Sequence, residues 1–403
     1  MTNINFKARI HPLRLFSGET CLEYLPQELQ RKGVNRALIL SGRSISKKTN
    51  LLNNIESLII NRFAGRFSEV DRHCSESSML KAVQIAKNLR IDAIVAVGSG
   101  TVCMAARIIA IAYAENLTFD ELATRYLLRG GPVSPRLYKP KIPIWNILTT
   151  ATLAQNGAGA TLKSQSDNLR LELFDPKTRP TGVFWDGNAL TTAPEAVSRA
   201  AGLTILWFSL MRMGGISQAN PLVQADRYQA WQLALESISH LGTPLNTSAR
   251  IKMCAASFLL NRDFDHGGLP FEVHWVARVC YALGAGLLGI NDTISPGEAY
   301  LALTGPAIVL FGDRDLNKLR EICTFLPYAD LELVQTWDLD DINSAINNFF
   351  ISKNFGIRLS SLGITSDHLP RIRDIALRNF NSDPYGEFSL EIDLLDQVLK
   401  LAL

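Results

Sequence analysis

From Ile91 to Ala110 the chain reads IDAIVAVGSGTVCMAARIIA, and the period of its apolar positions changes part-way through. Ile91 to Val97 is apolar on both faces apart from Asp92, the pattern of a strand in a sheet covered on two sides. Gly98 and Gly100 interrupt it, and from Thr101 small and aliphatic residues run on for about three helical turns. Strand, glycine turn and helix start in succession bring free backbone N–H groups and the positive end of a helix dipole to one point. That geometry suits a phosphate, and it also suits a plain βα turn.

The same alternation of patterns organises the rest of the chain. Ile10 to Phe16 reads as an early strand or hairpin, residues 18–33 as a short helix closed by Gly33, and Ala37 to Leu40 as a buried strand ending in Ser41, Gly42, Arg43 and Ser44. Leu51 to Phe63 predicts helix and Phe67 to Val70 strand. Ser75 to Leu89 predicts an amphipathic helix with Ser75 and Ser77 as caps. Pro143 to Thr150 gives another apolar strand, with Thr149 and Thr150 at its carboxyl end, and Arg179 to Asp186 gives the last. Helical patterns then follow over Pro194–Met213, Pro221–Leu241, Asn246–Leu260, Glu272–Leu288, Pro296–Phe311, Asp313–Phe325, Trp337–Phe350 and Glu387–Leu403.

Buried strands alternating with helices predict an α/β region with a parallel sheet, followed by an all-α region, with the division near residue 190. Residues 1–190 would form a dinucleotide-binding domain and 191–403 a helical one. In such sheets ligands bind beyond the carboxyl ends of strands, where Gly42 and Gly98 both fall.

Composition narrows the partners. The 403 residues are 47% hydrophobic and 20% charged, with a formal net charge of +3. So small a charge argues neither for nucleic acid nor for a membrane surface, and the partner expected is a small-molecule substrate. The six cysteines form no C-x-x-C pair, which points to buried reduced thiols and a cytoplasmic setting. The N-terminus has no apolar signal-like region, and no run approaches the roughly 20 apolar residues of a membrane span.

The segments AVGSGTVCMAAR, ILTTATLAQNGAGAT, VFWDGNALTTAP and VARVCYALGA, in that order and spacing, resemble the iron-containing alcohol dehydrogenase superfamily, the branch that includes maleylacetate reductases. The resemblance implies a dehydroquinate synthase-like fold with the active site in a cleft between two domains, an NAD or NADP cofactor, and a homodimer. Residue by residue, the family's glycine turn falls on Gly98, Ser99, Gly100 and Thr101. Its adenosine-side Thr-Thr falls on Thr149 and Thr150. The aspartate that faces the nicotinamide end is replaced by Met104. After the second strand, Gly42 and Arg43 stand where many NAD-dependent members carry an aspartate, so a bound dinucleotide is expected to be of the NADP type.

The family's metal is held by an aspartate and a histidine four residues later on one helix, with two further histidines. Aligned on Gly202, the first two positions are Thr204 and Phe208. Aligned on Leu283 and Gly284, the others are Ala277 and Pro296. The expectation is therefore no metal, since His274, one turn from Ala277, cannot hold an ion alone. Without a Lewis acid, hydrogen-bond donors must meet the developing oxyanion. Residues 274, 278 and 281 follow an i, i+4, i+7 spacing, so His274 and Tyr281 are candidate proton donors and Arg278 a candidate anion holder. Thr204, Gln155 and Asn156 complete the polar groups expected at the cleft. Asp263 to Gly268 reads as a turn, a candidate lid. These residues are compatible with a metal-independent NAD(P)H-dependent reductase of a carbonyl or enone, and with a repurposed cyclase, lyase or isomerase of specialised metabolism. They are also compatible with a non-catalytic nucleotide-binding protein.

Overall fold

The computed structural model describes residues 2–127, 131–165, 170–242, 246–268 and 273–403. Its strands are β1 (Arg14–Gly18), β2 (Ala37–Gly42), β3 (Phe63–Val70), β4 (Ala93–Gly98), β5 (Arg125–Leu127), β6 (Gly131–Val133), β7 (Ile144–Leu148), β8 (Gly159–Lys163), β9 (Arg170–Phe174) and β10 (Gly182–Asp186). Six of them form one parallel sheet in the order β1-β10-β7-β4-β2-β3. The apolar runs of β4, β7 and β10 are buried throughout because helices cover both faces. Met79, Ala82 and Ile108 pack on one face, Leu29, Ile55 and Phe184 on the other.

Chain direction within the sheet fixes where a ligand can sit. After β3 the chain returns to place β4 on the other side of β2, so the order reverses between them, and the carboxyl ends Gly42 and Gly98 border the crevice that results. From Glu195 onward the described elements are helical and share a core around Trp207, Trp231, Leu283 and Phe311.

Several elements depart from the sequence patterns. Residues 18–33 split into a 3-10 turn, Cys21–Tyr24, and a helix, Leu25–Arg31, with Pro26 near its start. An unanticipated helix, Arg43–Lys48, follows β2, and the helix expected to reach Phe63 ends earlier because β3 begins at Phe63. The β8–β9 hairpin and the helix Leu369–Ala376 were also not anticipated, being short and lacking strong periodicity. Asp263 to Asp265 are not a turn but the last residues of the helix Thr247–Asp265. The residue Glu272, expected to open the next helix, lies outside the described residues; that helix runs Trp275–Ile290. All six cysteines are free and buried, and no described helix is long and apolar enough to cross a membrane.

Candidate functional site

The glycine turn leads straight into the helix Gly100–Glu115, with Ser99 as an N-cap residue whose side chain makes no capping bond. The hydroxyl therefore leaves the first-turn N–H groups to other acceptors. The turn also has no room for side chains. A Cβ on Gly98 would lie 2.6 Å from Val102 Cγ2, and one on Gly100 would lie 2.5 Å from Thr152 Oγ1. Thr149 N–H donates to the Gly98 carbonyl at 3.1 Å, which pins the end of β7 beside the turn. Thr149 and Thr150 then line a pocket with Leu190, Ser198 and Arg250 that has room for little more than a water. Gly98 to Thr101, Thr149 and Thr150 thus come together, as a small-residue cradle that fits a pyrophosphate.

Arg107, one turn beyond Met104, holds the cradle's far side. It is buried, and it donates to the Gly159 carbonyl at 2.7 Å and to the Ala154 carbonyl. Burial lowers its pKa to about 10. At the second strand, Gly42 precedes an exposed Arg43 that lies 3.6 Å from Glu69 at the end of β3. The carboxylate missing from the β2 end in sequence is thus supplied by β3 in space.

The four positions that the resemblance sets in place of metal ligands, Thr204, Phe208, Ala277 and Pro296, carry no His, Cys, Asp or Glu. Thr204 Oγ1 donates to the Ala200 carbonyl at 3.1 Å and accepts from Gly297 N–H at 2.9 Å, tying two helices together rather than facing the cleft as a free hydroxyl. The Phe208 ring lies 5.4 Å from Tyr300, 6.2 Å from Tyr281 and 5.1 Å from Trp207. Phe208, Arg212, Ala277 and Tyr281 line one pocket, again with room for little more than a water. The Arg212 guanidinium sits 5.1 Å over the Phe208 ring. It is 3% exposed, and among the described residues no carboxylate lies within ion-pair distance. Apolar rings and a fixed cation do not fit a divalent metal. Among the described residues no cluster of three His, Cys, Asp or Glu side chains converges to hold one.

The remaining sequence candidates are placed as follows. His274 does not share a helix face with Arg278 and Tyr281, because it is the N-cap of Trp275–Ile290 with extended backbone. Its Nδ1 accepts from Ala277 N–H at 3.3 Å, and its Nε2 pairs with the Met211 carbonyl at 3.1 Å. Burial lowers its pKa to about 4, so it is a neutral capping group with both ring nitrogens engaged. Arg278 faces away from the cleft: it donates to Ser382 O at 2.8 Å, pairs with Asp383 and Glu387, and stacks on Trp275. Gln155 is fully buried and spans Trp185, Cys254 and Ser257, while Asn156 meets Asn261. Asp263 pairs with Arg227, Asp265 with Arg179, and His266 with Asp226. These partners make the Asp263–Gly268 segment a clamp rather than a lid.

Tyr281 alone of the proposed proton donors remains on the cleft, half-buried between Phe208 and Tyr300. Burial and then the nearby Glu172 raise its pKa to about 12. Glu172 comes from β9, whose register sets it opposite Thr161 on β8. Both Glu172 oxygens accept from the Asn381 amide, at 3.1 and 3.0 Å, and burial raises its pKa. The sequence reading does not single out Glu172 or Arg212, because what each of them touches lies far away in sequence.

Known proteins agree with this geometry. The pattern that defines iron-containing alcohol dehydrogenases matches residues 12–187. Over 390 residues the chain is 23% identical to maleylacetate reductase 1 of Cupriavidus pinatubonensis, covering 96% of this chain and 94% of that one. Residues 12–187 thus carry the iron-containing alcohol dehydrogenase pattern, and the whole chain is similar to relatives of that kind. A second relative, NADP-dependent alcohol dehydrogenase 3 of Entamoeba histolytica, is 24% identical over 405 residues, covering 96% of this chain and 95% of the other. The fold superposes on an archaeal alcohol dehydrogenase from a Red Sea brine pool with a TM-score of 0.82 at 15% identity, covering both chains fully. These relatives are, by name, oxidoreductases.

Proposed function

We propose that this protein is a metal-independent NAD(P)H-dependent reductase of a carbonyl or enone substrate. One observation carries the reading: the cradle at Gly98 to Thr101 has no space for a side chain, while the positions of the metal ligands are filled by Phe208, Ala277 and a tied Thr204 under the Arg212 guanidinium. Gly98, Ser99, Gly100 and Thr101 would hold the pyrophosphate, with Thr149 and Thr150 on the adenosine side. When bound, the dinucleotide supplies a hydride.

What the chain's own residues do follows from charge. As a carbonyl carbon is reduced, negative charge gathers on its oxygen. In this reading Tyr281 donates its phenolic proton there and Arg212, which lines the same pocket, stabilises that charge. A phenol with a pKa near 12 is a weak acid, yet an alkoxide is a stronger base than its phenolate, so the transfer runs downhill. The aromatic rings of Phe208 and Tyr300 exclude water from this wall. A homodimer through an edge of the sheet, β1 or β3, belongs to the same reading.

Tryptophan fluorescence of the purified protein, titrated with NADPH and NADH, tests the cofactor. Binding in the micromolar range is expected, and none at millimolar concentrations rejects the reductase. Activity that survives exhaustive chelation is expected as well; loss restored by iron or zinc rejects metal independence. The reading in which the scaffold has become a cyclase, lyase or isomerase draws on the loss of the acid at Met104. Turnover by protein stripped of nucleotide would favour it.

A further inference from the structure

Donating a proton in the proposed reduction leaves Tyr281 as a phenolate, and its surroundings decide how the proton comes back. Its ring lies 6.2 Å from Phe208 and 5.9 Å from Tyr300, so aromatic surface covers two sides of it. Burial disfavours the anion, which makes a phenolate at this position a strong base. A neighbouring acid would give up its proton readily. Glu172 is such an acid: it stands on β9 opposite Thr161, on a half-buried face of the hairpin, and the Thr124 N–H fixes its strand by donating to the Glu172 carbonyl at 2.7 Å.

Contacts from the C-terminal segment bring the two groups together. The Asn381 amide donates to both Glu172 oxygens, at 3.1 and 3.0 Å, and the next residue, Ser382, accepts from Arg278 Nε on its carbonyl at 2.8 Å. Arg278 lies three residues, about one turn, before Tyr281 on the helix Trp275–Ile290. The carboxylate is thus held against the part of the helix that carries the phenol, and after burial its charge is the largest influence on the phenol's acidity. Other charges face the pair. Arg170, on the same strand face as Glu172, attracts both the carboxylate and a phenolate, and it also donates to Thr161 Oγ1 at 2.7 Å. Arg212 attracts the phenolate from the pocket wall, while the buried Tyr300 stays neutral. At Glu172 burial outweighs Arg170 and Asn381 and raises the pKa, so the carboxyl takes up a proton more readily than an exposed glutamate does. Buried carboxyls reach about 8–9 at the extreme. That is still below a phenol pushed up to about 12, so proton transfer from Glu172 to a Tyr281 phenolate runs downhill.

We propose that Glu172 is the proton reservoir behind Tyr281, its carboxylic acid returning a proton to the phenolate that each reduction leaves and then recharging from water at the hairpin. In the transfer the Glu172 O–H bond breaks and the Tyr281 O–H bond forms, and no electrons change hands. The resulting carboxylate keeps the Asn381 amide as its donor and the Arg170 charge beside it, and its half-buried position gives solvent access for the next proton. Glu172 acts on a substrate only through Tyr281 and is in that sense a positioning residue. The use made of the proton rests on the reductase reading, whereas exchange between the two side chains needs no substrate.

The test reads the Tyr281 hydroxyl directly in the full chain, by nuclear magnetic resonance. Tyrosine is isotopically labelled at the ring carbon that bears the hydroxyl, and the protein is placed in equal parts of light and heavy water near neutral pH. Slow exchange of the hydroxyl proton splits that carbon's signal, fast exchange merges it, and Tyr281→Phe assigns it. Wild type is expected to give one merged signal. Glu172→Gln, which keeps the side chain's size and an acceptor for Asn381, should give two, with exchange slower by at least about tenfold. Glu172→Asp, which keeps the acid, should restore much of the rate, and NADPH affinity by fluorescence titration should change by less than about twofold in both variants. A split signal in the wild type overturns the reservoir, as does equal exchange in wild type and Glu172→Gln. Loss of NADPH affinity in parallel with the exchange also overturns it, assigning Glu172 to the dinucleotide or to the fold. Exchange that is fast in wild type and slow in Glu172→Gln, in a protein that binds no NADPH, would sink the reductase instead and leave the path between the two side chains standing.

Discussion

The two walls of the cleft differ in what they exclude. At the carboxyl end of β4 the chain keeps side chains out: Gly98 and Gly100 sit where a Cβ would collide with Val102 or Thr152. On the facing helices side chains have moved in, and Phe208 packs among Trp207, Tyr281 and Tyr300 beneath the Arg212 guanidinium. A wall that must admit backbone-to-phosphate contact tolerates only glycine and its small neighbours. A wall on which nothing needs a lone pair can be filled with apolar volume. The contrast is the one the proposed reading requires, with a dinucleotide held at one wall and the substrate polarised by side chains of the other.

The largest effect is expected from emptying the rebuilt wall. Phe208 is 5% exposed, so Phe208→Ala should destabilise the fold by about 3–5 kcal/mol in urea unfolding, through lost transfer energy and the cavity left behind. Phe208→His should cost less. With Arg212 still in place, it should give no thermal shift on addition of zinc or ferrous ion. A shift of several degrees with that single substitution would break the comparison, since it would mean that the wall was still a metal site lacking one ligand.

Next comes the pH dependence set by His274. Its folded pKa of about 4 lies below the ordinary value of 6.5. Between those values the unfolded chain binds a proton that the native protein refuses, so unfolding free energy rises with pH. The stabilisation is fully present above pH 6.5 and is lost as pH falls through 4, an effect on the order of 3 kcal/mol. Urea unfolding of wild type and His274→Asn at pH 7, 5.5 and 4.5 measures it. The variant should show a flatter profile, and identical slopes would return His274 to the list of groups that titrate freely in the cleft.

Gly100→Ala addresses the opposite wall, with an expected loss of about 1–3 kcal/mol from overpacking against Thr152 and at least a tenfold loss of NADPH affinity. Adding Thr152→Ala removes the colliding hydroxyl and should restore the stability. If it restores the NADPH affinity as well, the glycine is there for packing rather than for the phosphate, and the two walls no longer differ in kind.

The sequence made the strand, turn and helix around Gly98 legible and left much of the cleft hidden, for a physical reason. Strand, glycine turn and helix are local, so Gly98 to Thr101 could be read from the change of period alone, and the end of β7 from its apolar run. Ser75 likewise caps its helix by accepting from Ser78 N–H, as its position suggested. Side-chain roles depend on partners far along the chain. Arg278 and Tyr281 share a helical stretch, yet one turns to Asp383 and the other to Phe208. His274 has the right spacing to join them but sits one residue before the helix, where its ring serves the backbone. Glu172 and Arg170 fall in a hairpin whose short strands carry no strong periodicity, so neither stood out until Thr161 and Asn381 were seen beside them.

The smallest expected effect concerns which dinucleotide the cradle prefers. Arg43 favours a 2′-phosphate, whereas Glu69, 3.6 Å away, opposes one; both are exposed, so solvent and salt weaken each influence. Arg43→Ala should weaken NADPH about three- to tenfold and NADH less than twofold, read by fluorescence titration at low salt. Glu69→Gln should act in the opposite direction, tightening NADPH by about twofold with NADH unchanged, because the arginine then faces the phosphate without a competing acid. Both changes should shrink as salt is raised. Equal effects on the two cofactors in Arg43→Ala would mean that the end of β2 does not read the ribose at all, and that the preference is set elsewhere on the sheet side.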